Sequence, residues 1–140
     1  MQNTPSGEYV LSHISVYKTE LMVQSSTQLK QFILELGRRL NLTVTEGSIQ
    51  EYYGGTVRCD IGLKSNIGLQ YGIGFTADKD GKVEIIGDQA MQHRFDEVAK
   101  YANDFIKASL VAHKAVQQNP FAKTTITLKD RKAILEVEVP

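Results

Sequence analysis

The sequence lacks the features that mark several large classes of protein. Its single cysteine, Cys59, excludes an intramolecular disulfide, and no apolar run is long enough to span a bilayer. No positively charged segment followed by an apolar one opens the chain, so we expect no secretory leader. Lysine plus arginine and aspartate plus glutamate number 16 each, which leaves no net charge to attract nucleic acid or a membrane surface. These absences predict a protein of a reducing, cytoplasm-like compartment.

Patterns of catalysis and metal binding are missing as well. The three histidines, His13, His93 and His113, form no pair at metal-ligand spacing. Cys59 falls on the apolar face of a β-type run, where a cysteine packs as a small hydrophobe. The stretch GIGFTA, residues 72–77, matches the glycine fingerprint of dinucleotide binding but leads into a turn instead of a helix. We therefore predict no catalytic set, no metal and no cofactor.

The length of the chain predicts one domain. A chain of 140 residues matches the size of one ordinary domain with a single core. Residues 1–7 are polar and contain Pro5 and Gly7, a composition that buries little. We predict a flexible N-terminal extension over these residues and a single α+β domain over residues 8–140. The first strand of that domain is predicted to begin at Glu8, where β-branched and aromatic residues become frequent.

Changes of hydrophobic period predict the order of the elements. Apolar residues at three- and four-residue spacing predict a helix in SSTQLKQFILELGRRL and a longer one from Arg94 to Asn119 and Pro120. Between the helices lie eight of the eleven glycines, from Gly54 to Gly87, in runs that predict a strand meander. TTITLK and AILEVEV predict a closing hairpin. The order strand, helix, four strands, helix, two strands is typical of a two-layer α+β fold with an antiparallel, glycine-rich sheet.

The run IGLQYGIGF, residues 67–75, alternates apolar residues with glycine and is predicted to pair with TVRCDIGLK, residues 56–64. We predict the register that sets Leu63 against Leu69, because it gives the pair one apolar and one polar face. Val57, Cys59, Ile61 and Leu63 then share the buried face.

The opposite face of this predicted pair is nearly bare. Arg58 lies beside Gly74 there, and Asp60 lies beside Gly72. Glycine within strands indicates either strong coiling of the sheet or the close approach of a backbone, a helix or a ligand. Under the first interpretation Arg58 and Asp60 form a surface ion pair. Under the second, the four residues bind a flat anionic ligand such as a nucleotide, with Arg58 as a two-point donor to its charged group.

The second predicted helix supplies a candidate interface between subunits. A helix over residues 92–118 is about 40 Å long and overhangs a strand of about 30 Å. Its C-terminal part is apolar nearly all round, which requires a second buried surface. We predict a homo-oligomer, with packing under the closing hairpin as the alternative. The predicted interface residues are Leu110, Val111, Ala112 and Ala115.

Several short motifs resemble those of one family. They are SHISVYKT from Ser12, LKQFILELG, Tyr53-x-Gly55, Asp60, Gly74-Phe75, Gly87-Asp88, Phe95 and Tyr101-Ala102. Over residues 12–139 the chain resembles the hypothetical chloroplast reading frame thirty-five family of plastids, cyanobacteria, other bacteria and some phages. It departs from the family in the eleven residues before Ser12 and in lacking a tryptophan after Asp88. The resemblance implies a fold and adds the plastid stroma as a location, but it implies no reaction.

Three functions are compatible with the sequence. The first is a non-catalytic binding or accessory module that acts as an oligomer on a protein or a small anionic ligand. The second is a nucleotide-binding, sequestering protein that uses the glycine face. The third is a small enzyme whose acid and base come from distant loops, with Asp60, His13 and Tyr53 as candidates.

Overall fold

The computed structural model describes residues 14–140. The predicted extension over residues 1–7, the strand start at Glu8 and the candidate His13 lie outside the described residues. The elements are β1 (Ile14–Met22), α1 (Ser26–Leu40), β2 (Thr43–Gln50), β3 (Thr56–Ser65), β4 (Leu69–Ala77), β5 (Lys82–Asp88), a 3-10 turn (Gln89–Met91), α2 (Phe95–Gln118), β6 (Lys123–Lys129) and β7 (Lys132–Glu138). This order confirms the predicted sequence of strands and helices.

The strands form two separate antiparallel sheets. A five-stranded sheet has the order β1-β5-β4-β3-β2, and β6 pairs with β7 alone. Both helices contribute to one apolar core with the five-stranded sheet, and the hairpin packs on α2. The α+β class, the antiparallel sheet and the β3-β4-β5 meander are therefore confirmed.

Local capping contacts explain where helix α1 begins and ends. The Ser25 hydroxyl accepts from the Gln28 N–H at 3.1 Å, and Asn41 closes the helix in the left-handed conformation at φ 57°. Gly37 does not end the helix. A Cβ at Gly37 would lie 2.8 Å from Cδ2 of Leu63, so glycine lets α1 approach the sheet closely.

The register of β3 and β4 differs from the predicted one. Leu63 lies opposite Ile73, and Leu69 pairs with Ser65 instead. The register shifts because β4 bulges after Leu69: the Gly72 N–H donates to the side chain of Gln92 at 2.8 Å and leaves the ladder. The observed register differs from the predicted one by an even number of residues, so Leu63 and Ile73 still share the buried face.

A second irregularity lies in β3 at Cys59 and Asp60. Glu46 of β2 pairs with Ile61, but two residues later Ser48 pairs with Arg58, so β3 contains an extra residue. The bulge turns Cys59 away from the helices into a small cluster on the far face of the sheet. The prediction that Val57 and Cys59 share a face with Ile61 and Leu63 is therefore wrong.

Candidate functional site

The predicted glycine site lies inside this second cluster, whose buried members are Ile49, Cys59 and Ile86. A Cβ at Gly74 would lie 3.0 Å from Cβ of Cys59 and from Cγ1 of Ile86, and one at Gly72 would lie 3.0 Å from Cγ2 of Ile49. Both glycines are buried. They make room for side chains of neighbouring strands, so the space that a planar ligand would need is already filled.

Arg58 and Asp60 do not meet in the expected way. Arg58 is exposed and lies opposite Ser48. The Asp60 carboxylate accepts from the Ala77 N–H at 2.9 Å, and its own N–H donates to Thr76 Oγ1 at 3.3 Å. Among residues 14–140, no ion pair joins Arg58 to Asp60. The bulge thus places the Asp60 side chain against the end of β4. Arg58, Asp60, Gly72 and Gly74 therefore do not form one common site.

The candidates for acid–base and nucleophilic chemistry are similarly separated. Tyr53 lies in the turn between β2 and β3, with its ring centroid 5.0 Å from that of Tyr52, while Asp60 binds the backbone at the end of β4. Burial raises the pKa of the Cys59 thiol to about 11, which disfavours a thiolate at neutral pH. Within residues 14–140, no group of three or more His, Cys, Asp or Glu side chains has an arrangement that could hold a metal ion.

A cleft of about 650 Å³ lies on the helix side of the sheet, between β1, α2 and the turn that joins β6 to β7. Ile85, Phe95 and Ala99 provide apolar lining. The ring of Tyr17 also lines the cleft, with its centroid 6.3 Å from that of Phe95. The cleft therefore combines an apolar lining with an amphipathic aromatic side chain.

A hydrogen-bonded chain orders one side of the cleft. The Tyr17 hydroxyl donates to Gln89 Oε1, and Gln89 Nε2 donates to Asp96 Oδ1 at 2.7 Å. Asp96 lies in the first turn of α2, where the helix dipole stabilises a carboxylate. Tyr17 and Asp96 are thus held in place through Gln89.

The charged groups of the cleft fall into two sets. The carboxylates of Asp96 and Asp104 are engaged within the protein, because Asp104 accepts from the backbone N–H of Ala133. The cations Lys100, Arg131 and Lys132 line the same cleft, and none of them takes part in an ion pair with residues 14–140. The remaining lining carboxylate is Asp130, beside Arg131 in the turn. The cleft is thus lined by three cations and three carboxylates, and two of the carboxylates accept hydrogen bonds from within the protein.

The turn that carries Arg131 has an unfavourable backbone. Asp130 and Arg131 have φ angles of 53° and 64°, the left-handed values of a two-residue hairpin turn. Such a turn normally contains glycine; aspartate tolerates the left-handed conformation, whereas this conformation costs an arginine about 1 kcal/mol. A strained residue that presents a cation to a cleft is a feature of functional sites.

Sequence reasoning did not identify this cleft. Its side chains come from β1, the 3-10 turn, α2 and the hairpin, and no spacing in the sequence connects them. One signal was available: the closing hairpin turns through Asp130 and Arg131 without a glycine.

The predicted oligomer residues lie in the second half of α2. Ala112 is buried, Leu110 and Ala115 are partly buried, and Val111 is 52% exposed. Helix α2 packs against β6 and β7, and Ala112 and Val116 line one surface pocket with Ile126 of β6, so the hairpin lies beside this part of the helix, as in the alternative prediction. Association through Val111 stays a prediction. No helix within residues 14–140 is long and apolar enough to cross a membrane.

The fold and the cleft together describe a two-layer α+β protein with a charged cleft on its helical side. Comparison with known proteins finds no matching family model, no matching curated protein and no matching solved structure. The resemblance to the hypothetical chloroplast reading frame thirty-five family therefore stays a prediction.

Proposed function

We propose that the protein is a non-catalytic binding module that takes a small amphipathic anion in the cleft lined by Tyr17, Lys100 and Arg131. One observation carries this proposal: the cations of the cleft are unpaired, whereas Asp96 and Asp104 are engaged by internal hydrogen bonds. An anion can therefore contact Lys100 and Arg131 without breaking an existing ion pair, and its binding depends on these direct contacts because the lining carries equal numbers of cations and carboxylates.

Arg131 is the principal anion-binding group in this proposal. Its guanidinium donates to a carboxylate or phosphate at two points, and its position in a two-residue turn limits the backbone freedom lost on binding. Lys100 on α2 adds a second positive charge. The apolar part of the ligand packs on Phe95 and against the ring of Tyr17.

The composition of the cleft supports binding over catalysis. The described lining contains no cysteine, histidine or serine, and two of its three carboxylates, Asp96 and Asp104, already accept hydrogen bonds from within the protein. Its one threonine, Thr19, donates through its hydroxyl to the carbonyl of Val83 at 2.8 Å.

The test is calorimetric titration with three anions of different chemistry: 3-phenylpropionate, phenyl phosphate and adenosine monophosphate. We expect saturable binding of at least one, weakened about tenfold or more by Arg131→Ala, because a charge-assisted hydrogen bond contributes about 1.5–3 kcal/mol. Adenosine monophosphate also tests the nucleotide hypothesis directly.

Arg58→Ala is the matched control, since it removes the same side chain from an exposed position outside the cleft. It should leave binding unchanged. A loss of binding in Arg58→Ala with full binding in Arg131→Ala would contradict the cleft and restore the glycine face as the site. No heat from any of the anions at millimolar concentration would refute the proposed function.

A further inference from the structure

The carboxylate of Asp88 is the most unusual polar group among the described residues. Asp88 ends β5 opposite Ile14 and is 1% exposed. Its Oδ2 accepts from the N–H of Tyr52 at 3.3 Å, whereas its Oδ1 is buried and has no hydrogen-bond partner within residues 14–140. It is the one such side-chain atom in that range. An acceptor left in this state is costly, which indicates a ligand or a functional role.

The neighbouring amide cannot supply the missing donor. Gln92 is 2% exposed, and its Oε1 accepts from the N–H groups of Tyr71 and Gly72 at 2.9 and 2.8 Å. Its Nε2 donates to the carbonyls of Gly72 and Asp88 at 2.9 and 3.1 Å. Both protons of this amide are therefore used in holding the β4 bulge to the end of β5. Within residues 14–140, Asp88 Oδ1 therefore has no hydrogen-bond donor, and a rotation of Gln92 would break bonds already made.

Tyr52, whose N–H donates to the Asp88 carboxylate, belongs to a cluster of three tyrosines. The ring of Tyr52 lies 5.5 Å from that of Tyr71 and 5.0 Å from that of Tyr53, and both contacts are edge-to-face. Tyr52 and Tyr53 are 42% and 63% exposed, so this tyrosine cluster is open to solvent on its outer side. Aromatic faces attract organic cations, and a nearby carboxylate adds the counter-charge.

We propose that the tyrosine cluster and Asp88 form a second binding site, for an alkylammonium group supplied by a small amine or by a lysine side chain of a partner protein. The ammonium donates to Asp88 Oδ1 and packs its methylene groups against the rings. This site does not rest on the proposed anion cleft.

The turn between β2 and β3 is the element that must move to admit the ligand. The hydrogen bond from Tyr52 to Asp88 is near the long limit for such bonds, and the turn itself is closed by the Glu51 and Gly54 backbone at 3.1 Å. Gly54 has a φ of 102°, which permits backbone changes that other residues resist. In this proposal the turn, which is also closed by the Glu51 N–H and the Gly55 carbonyl at 2.9 Å, lifts from Asp88 when the ammonium binds.

The experiment is an NMR titration of the full ¹⁵N-labelled chain with n-butylammonium, and in parallel with the peptide acetyl-Gly-Lys-Gly-amide. We expect saturable shifts of the amides of Tyr52, Gly54 and Gly55. Asp88→Asn should weaken binding about tenfold or more, since it removes the counter-charge. Tyr53→Ala should weaken it about two- to fivefold. Glu136→Gln, which removes an exposed acid on β7, is the control and should change nothing.

Each outcome decides the proposal or the source of the cation. Tighter binding of the peptide indicates a protein partner, and tighter binding of butylammonium indicates a small amine. Equal shifts with potassium chloride, or unchanged affinity in Asp88→Asn, would overturn the proposal. A merely structural Asp88 predicts altered stability in Asp88→Asn and no shifts from either amine. If Asp88→Asn does not fold, Tyr53→Ala decides, because this exposed side chain is dispensable for the core.

Discussion

The carboxylate of Asp104 in α2 accepts a hydrogen bond from the backbone N–H of Ala133 in β7. Its counterpart on the other strand of the hairpin is Arg39 of α1, whose guanidinium donates to the carbonyl of Ile126 in β6. Each helix thus contributes one charged side chain to one hairpin strand: the carboxylate accepts from a backbone N–H, and the guanidinium donates to a backbone carbonyl. These bonds satisfy backbone groups of a two-stranded sheet that has no third strand to pair with.

Asp104→Ala is expected to lower the free energy of unfolding by about 1–3 kcal/mol, because it leaves the Ala133 N–H without its charged acceptor. Urea unfolding followed by circular dichroism measures the change. Glu136→Ala, in the same hairpin but exposed, is the control and should stay within about 0.5 kcal/mol of the unsubstituted protein. Equal effects of the two substitutions would show that Asp104 does not hold the hairpin.

Acid pH should lower the stability of the protein, because it protonates Glu35 and weakens its contacts with Arg38 and Arg39 in α1. Hydrogen bonds from Arg38 and then from Arg39 lower the pKa of Glu35 from 4.5 to about 2. Because the folded-state pKa is the lower one, the stabilisation is complete above pH 4.5 and is lost as the pH falls toward 2. The side chain of Glu35 is 38% exposed, so solvent screening reduces the size of the effect.

The substitution Glu35→Gln should remove this contribution of Glu35 to the pH dependence of stability. Urea midpoints measured at about pH 6 and about pH 3 should differ less in Glu35→Gln than in the unsubstituted protein. Parallel losses of stability in both proteins would exclude the Glu35 contacts as a source of acid sensitivity.

Gly72→Val tests the covered glycine face. The new side chain would start 3.0 Å from Cγ2 of Ile49, at a backbone φ of 96° that valine resists. Overpacking and backbone strain together predict a loss of about 2 kcal/mol or more in the free energy of unfolding. Gln70→Val, an exposed position in the same strand, is the control. An unchanged stability of Gly72→Val would mean that this face of the sheet is open after all.

Arg131→Gly should separate stability from binding. Glycine relieves the left-handed strain at φ 64° and is expected to raise the free energy of unfolding by up to about 1 kcal/mol, while anion binding in the cleft is lost. Asp130→Gly keeps the guanidinium and replaces an aspartate that already tolerates φ 53°, so it should retain binding with little change in stability. Thermal unfolding and calorimetry measure the two quantities. Loss of anion binding in both variants would show that binding depends on the shape of the turn and not on the guanidinium of Arg131.

The order of the elements was predictable because it depends on local interactions. The spacing of apolar residues placed α1, and the Ser25 cap and the left-handed Asn41 bound it through bonds within a few residues. The hairpin was likewise predictable, since β6 and β7 are adjacent in the chain. Leu63 and Ile73 share the buried face despite the wrong register, because burial of one face requires alternate residues, but the bulge in β3 breaks this alternation at Cys59.

The register and both sites depend on contacts between residues that are distant in the sequence. The side chain of Gln92 lies about twenty residues further along the chain and accepts hydrogen bonds from the N–H groups of Tyr71 and Gly72. These contacts accompany the shift in the register of β4. The bulge at Cys59 and Asp60 then fills the glycine face.

By itself, the sequence determined the α+β class, the order of strands and helices and the presence of an amphipathic layer, because hydrophobic period and end caps act over one or two turns of chain. Only the tertiary structure decided which side chains meet. Arg131 faces the cleft near Tyr17, and Asp88 is buried beneath Tyr52, because side-chain to backbone bonds across the fold set bulges and turns that no local pattern encodes. The location of a site in this protein is therefore a property of its packing.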